Sequence, residues 1–83
     1  MDITTIIGDN IRGFRTKRKW SQARLAEEAG VTCTYIGNIE RAEQHVSVVQ
    51  LFKIAKAMKM KPWIFLIEAA YHKTPEELKK ALL

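Results

Sequence analysis

Thr34, Asn38 and Arg41 stand four and three positions apart, the spacing that stacks side chains on one face of an α-helix. Together they make a short-armed, hydrogen-bonding, basic face. That chemistry suits the edges of nucleic-acid bases: an asparagine can bond adenine bidentately, and a threonine offers its hydroxyl or its methyl to thymine. Gly37 adjoins the same face and takes away a side chain where a duplex would come close. Cys33 and Tyr35 fall on the flanks, Ile36 and Ile39 point the opposite way, and Glu40 borders the inward arc.

Those residues need a helix, and the helix needs support. The run after Thr32 is about two turns long, too short to be stable alone in water. It follows a second short run, and the two are joined by a tight turn at Gly30-Val31. Ser21 and Thr32 sit where a side-chain oxygen would cap each run. Leu25, Ala26, Ala29, Val31, Ile36 and Ile39 can meet on the inside of such a bent pair. Upstream, Ile3, Ile7, Ile11 and Phe14, with Ile6 beside them, form a helical stripe over residues 3–18. Gly8 and Gly13 weaken that helix by about 1 kcal/mol each. Trp20 precedes the Ser21 cap as a hydrophobic staple.

Downstream, Ser47-Val48-Val49-Gln50 matches a capping box and opens a helix. Its spacing predicts Val48, Leu51, Phe52, Ile54, Ala55 and Met58 inside, with Lys53, Lys56 and Lys59 outside. Pro62 fits the first turn of a further helix, Trp63 to Tyr71, apolar almost all round. So small a domain cannot bury every side of it, and the surplus predicts a partner surface. Thr74-Pro75-Glu76-Glu77 is a second capping box, and it opens a last short helix with Leu78, Ala81 and Leu82 on one side. Neither strand-like alternation nor an internal repeat interrupts this pattern. The expected fold is all-α: five helices in one domain over residues 1–83, with the paired helices at 22–41 and a helical extension over about 68–83.

Composition narrows the function. The chain has 83 residues, 47% hydrophobic, which is ordinary for a globular domain and speaks against disorder. Formal net charge is +5, and Arg12, Arg15, Lys17, Arg18, Lys19 and Arg24 follow one another with no acid between them. Beside the paired helices, this run reads as the footprint of a phosphate-binding surface. The single cysteine excludes an internal disulfide framework. The absence of a basic leader before an apolar run argues against a signal peptide. The longest apolar run, from Trp63 to Ile67, is far short of a membrane span, so a cytoplasmic location without membrane partners is expected. His45 and His72 lack partners at ligand spacing, and Ser, His and acidic residues form no nucleophile motif. Metal, cofactor and catalysis are therefore not expected.

Residues 11–41, Ile11-Arg12-Gly13-Phe14-Arg15, Trp20-Ser21-Gln22-x-x-Leu25-Ala26-x-x-Ala29-Gly30-Val31 and Tyr35-Ile36-x-x-Ile39-Glu40-Arg41, resemble the Cro/CI-repressor type of helix-turn-helix, the XRE family. The similarity continues through Leu51-x-x-Ile54-Ala55 to about residue 67. It implies a lambda-repressor-like five-helix domain whose recognition helix, Cys33–Glu40, lies in the major groove of double-stranded DNA. It also implies that Gln22 reaches a phosphate and that Arg15 pairs with Glu40. On this reading Cys33, Thr34, Asn38 and Arg41 read bases. Arg12, Lys17, Arg18, Lys19, Gln22, Tyr35, His45 and Ser47 hold phosphates. Trp63, Ile64, Ile67, Ala70 and Tyr71 form a two-fold interface that spaces two readers about one DNA turn apart.

The resemblance thus implies a homodimeric transcriptional regulator on a near-palindromic operator, like a phage repressor or a restriction–modification controller. A regulatory protein partner would add control from outside the domain. The alternative is an antitoxin or adaptor whose apolar C-terminal surface binds another protein. Ala42 and Val46 depart from the family's usual Gly and Pro or Asn, which leaves the path of the 42–46 loop for the structure to decide.

Overall fold

The computed structural model describes residues 2–81. Four α-helices come first: α1 (Ile3–Lys17), α2 (Gln22–Ala29), α3 (Cys33–Glu40) and α4 (Val48–Ala57). Two short 3-10 helices follow, Pro62–Leu66 and Ala70–His72, and then α5 (Pro75–Ala81). No strand occurs among the described residues. Leu82, expected in the last helix, lies outside them.

Each helix start has a local cause. The side chains of Asp2, Ser21, Thr32 and Ser47 accept from the backbone N–H three residues on, at 2.9–3.1 Å. At α5 the box closes both ways: Thr74 Oγ1 accepts from Glu77 N, and Glu77 Oε1 accepts from Thr74 N. The latter bond holds the Glu77 carboxyl below its usual range.

The helix ends share one device. α2 stops at Gly30, in the left-handed region at φ 71°, with Val31 N donating to Ala26 O and Gly30 N to Glu27 O. This is a Schellman motif. Lys19, Ala42 and Lys59 adopt the same left-handed conformation at the ends of α1, α3 and α4, with the same pair of backbone bonds. Ala42 therefore turns the chain where a glycine is usual in the family, and the 42–46 loop takes that path despite the substitution.

The core is formed by Ile11, Leu25, Ile36, Ile39, Ile54 and Phe65, all below 2% exposed, with Phe14 set edge-on to Phe65. α1 crosses α3 closely. A Cβ on Gly8 would lie 2.4 Å from the Ile39 carbonyl oxygen, and one on Gly13 would strike the Tyr71 ring. The glycines that cost α1 intrinsic stability are what allow it to approach. Gly8→Ala, favoured by propensity alone, should instead cost about 1–3 kcal/mol, because a backbone carbonyl cannot swing aside. Urea denaturation checks this, and a raised midpoint would contradict the close approach.

Two expectations need correction. The apolar run from Trp63 to Tyr71 is not one helix. It breaks at Ile67, which is extended at ψ 123°, and at Ala69, left-handed at φ 54°. The cause lies far away in sequence: buried Asn10 on α1 donates its amide to the Phe65 and Ile67 carbonyls, both at 2.8 Å, fixing the chain where a helix ladder would have run. The second correction concerns the ends of the apolar stripes. Val48 and Phe52, expected inside, are 72% and 57% exposed, and Ile3 is also exposed.

Candidate nucleic-acid interface

α2 and α3 meet through Leu25, Ala26, Ala29, Ile36 and Ile39, all buried, which fixes the angle between the two short helices. α3 then turns Cys33, Thr34 and Arg41 to solvent, with Asn38 half-exposed and Ile36, Gly37, Ile39 and Glu40 buried. Tyr35 is half-buried and packs along the edge of the core.

The far end of α3 is anchored by charge. Arg15 meets the Glu40 carboxylate bidentately, Nε to Oε2 at 2.6 Å and Nη2 to Oε1 at 2.9 Å. The Glu40 side chain is 2% exposed. Arg15 Nη1 also donates to the Trp20 carbonyl, and Gln22 Nε2 donates to Glu40 Oε1 at 3.0 Å. The hydrogen bonding it donates to Glu40 is the main reason the Arg15 guanidinium is held above its ordinary pKa. Through this one carboxylate α1 and α2 both grip the last turn of α3, and the same Arg15 ties in the α1–α2 corner. Trp20 closes the corner with the Arg24 guanidinium 4.6 Å above its ring.

Gln22 and Arg41 lie over Gly37: a Cβ there would sit 3.0 Å from Arg41 Nη1 and 3.4 Å from Gln22 Oε1. The missing side chain thus makes room for these two polar side chains, which form the outer surface in its place. Arg41 Nη2 donates to Asn38 Oδ1 at 2.8 Å, and Arg41 Nε meets Glu43. Asn38 Nδ2 reaches Gln44 Oε1 at 3.4 Å. Glu43 and Gln44 therefore share the outer face with Asn38 and Arg41. In the sequence they belong only to the 42–46 loop, although their closeness to Arg41 is a signal that they can reach this face.

The other expected phosphate ligands are spread out. Arg12 and Lys19 are exposed. Lys17 turns its amine to the Tyr71 carbonyl. Arg18 is a correction: its guanidinium donates to the Phe14 and Met58 carbonyls, so it ties the ends of α1 and α4 together. His45 Nδ1 lies 2.7 Å from Thr4 Oγ1, and Ser47 caps α4.

The apolar surface differs more from expectation. Ala70, proposed for a dimer interface, is fully buried, and Tyr71 is half-buried against Gly13. Ile64 and Ile67 are half-buried against the core. Only Trp63 of that set stays largely exposed, at 45%. It joins Val48, Val49, Phe52 and Leu66 in an exposed apolar face of α4 and the first 3-10 helix. A cleft of about 270 Å³ opens there, lined without a charged residue by Ile7, Val46, Val48, Leu51, Phe52, Pro62, Trp63 and Leu66. The signal was present in α4, whose apolar positions exceed what one buried stripe can hold.

Comparison with known proteins agrees with this geometry. A helix-turn-helix family model matches residues 11–62. The control protein C.SmaI of Serratia marcescens is 43% identical over 58 residues, 70% of this chain and 69% of that protein. The restriction-modification controller protein C.AhdI from Aeromonas hydrophila superposes with a TM-score of 0.73 at 32% identity, over 75% of this chain and 94% of that one. The hypothetical transcription factor NHTF from Neisseria superposes with a TM-score of 0.79 at 27% identity, over 99% of this chain and 86% of that one.

Proposed function

Because the chain belongs to the helix-turn-helix family, we propose that it is a sequence-specific DNA-binding transcriptional regulator of the controller type, acting as a homodimer on a near-palindromic operator. The observation that carries this reading is α3 itself, braced by α1 and α2 and presenting Cys33, Thr34, Asn38 and Arg41 outward. A helix of this length enters a major groove with its side chains against base edges. Arg12, Lys19 and Gln22 lie on neighbouring segments, where they would position the duplex without reading it. A regulator of this kind works where the DNA is, in the cytoplasm, and its work is binding rather than catalysis. No helix among the described residues is long and apolar enough to cross a membrane.

The exposed face of Val48, Val49, Phe52, Trp63 and Leu66 supports the two-fold contact better than the segment first expected to make it. Val48, Phe52, Trp63 and Leu66 line one cleft together, and no charged residue lines it.

Asn38→Ala tests the reader. Binding to a duplex selected from random DNA should weaken by about 1–3 kcal/mol, while binding to an unselected duplex stays nearly unchanged. Titration of both duplexes at one salt concentration decides the matter. Equal losses on the two would remove Asn38 from the base-reading set.

A further inference from the structure

We infer that Glu43 is a specificity-determining residue: its carboxylate competes with DNA for Arg41, so that only a site able to replace it is bound tightly. The inference rests on the reading of α3 as the base-reading element. Arg41 stands at the end of α3 with its Nε on the Glu43 carboxylate and its Nη2 on Asn38 Oδ1. Asn38 in turn directs Nδ2 to Gln44. In the free protein each of these polar groups already has an internal partner. Both side chains of the ion pair are more than half exposed, so the pair can open at small cost.

The backbone puts the acid there. Ala42 is left-handed at φ 59°, and Glu43 N donates to Asn38 O at 2.9 Å, which folds the chain back over the end of α3. Glu43 therefore sits on the same face as Arg41, which it restrains, and Asn38, which Arg41 holds in turn. A duplex approaching this face brings phosphates toward a carboxylate. It also has to free Arg41 and turn the Asn38 amide away from it. A guanine edge offers two acceptors that can take over the guanidinium, and adenine offers the donor and acceptor that Asn38 then needs. A random sequence offers neither in register, so the like-charge contact stays uncompensated. The carboxylate therefore weakens binding to unselected DNA far more than binding to the operator, and specificity comes from that difference.

The test compares a selected duplex with an unselected one. Glu43→Gln should strengthen binding to unselected DNA about tenfold and to the selected site by no more than about threefold, so that the ratio falls. Glu43→Ala should lower the ratio likewise, since neither change touches the backbone bond to Asn38. Glu76→Gln on α5 removes an equal charge from an exposed position away from α3 and should leave the ratio alone. With Arg41→Ala already in place, Glu43→Gln should no longer change the ratio, because what remains is a phosphate repulsion that both duplexes feel alike. A Glu43→Gln protein that gains equally on both duplexes, or on neither, overturns the filter alone. A parent protein that fails to prefer any selected duplex overturns the base-reading role of α3, and the filter with it.

Discussion

Arg15→Ala is expected to lose about 3–5 kcal/mol of stability, the usual cost of leaving a buried charge without its partner. The magnitude follows from where Glu40 sits. Its side chain is 2% exposed and accepts from Arg15 twice and from Gln22 once, so without the guanidinium a single neutral amide remains. A domain of 83 residues has roughly 4–12 kcal/mol in all, at about 0.05–0.15 kcal/mol per residue. Losing most of the smaller figure would leave the variant largely unfolded when warm, with a midpoint roughly 12 °C or more below the parent's. The pair need not be a net gain over an apolar core. Arg15→Met combined with Glu40→Leu should therefore recover most of the loss, because the desolvation of both charges disappears with them. Thermal and urea denaturation of Arg15→Met, Glu40→Leu and the double variant, with Arg15→Ala beside them, give the cycle directly. A single variant within about 1 kcal/mol of the parent would show that the ion pair does not hold α3 in place.

The same carboxylate illustrates how much of the site the sequence could show. Residues 22–41 were legible because their determinants are local: Ser21 and Thr32 cap, Gly30 supplies the left-handed turn, and the inward isoleucines repeat at helical spacing. The Arg15–Glu40 pair came from the resemblance, since residues 25 positions apart carry no local signal of contact. Residues 62–72 failed for the complementary reason. An apolar run without a polar side has no period to read, and its shape was set by an asparagine amide more than 50 residues upstream. Gly8 and Gly13 were read as helix weaknesses, although their cause is a neighbouring backbone and a neighbouring ring. Arg18 looked like part of a basic run and is in fact a clamp on two carbonyls. In each case a local rule lost to a tertiary contact that it could not contain.

Phe52→Asp should convert the protein to monomers while leaving the fold intact. The side chain is 57% exposed, so the substitution removes little from the monomer's core, unlike a change at fully buried Phe65. In the dimer it would place a carboxylate at the centre of an uncharged apolar contact, with no partner to pair it. The position of the contact follows from the two sides of Phe52. On one side lies the uncharged cleft of Val48, Trp63 and Leu66; on the other, Lys53, Lys56, Lys59 and Lys61 rim a second groove. Two copies meeting through the lysine groove would repel, so we place the proposed two-fold contact on the cleft side. Once dimerisation is lost, a two-site operator no longer gains from tethering, and affinity for it should fall by about a hundredfold or more. Affinity for an isolated half-site should stay nearly constant, because the cleft that Phe52 lines includes no residue of α3. Sedimentation at several protein concentrations, with titrations of full and half operators, measures both effects. Ile67→Asp is the control: that residue is half-buried beside the Asn10 bonds, so it should reduce stability more than it shifts the monomer–dimer balance. A Phe52→Asp protein that still sediments as a dimer would put the interface elsewhere. A parent protein that stays monomeric at high concentration would leave this face to a different protein, as in the antitoxin or adaptor reading.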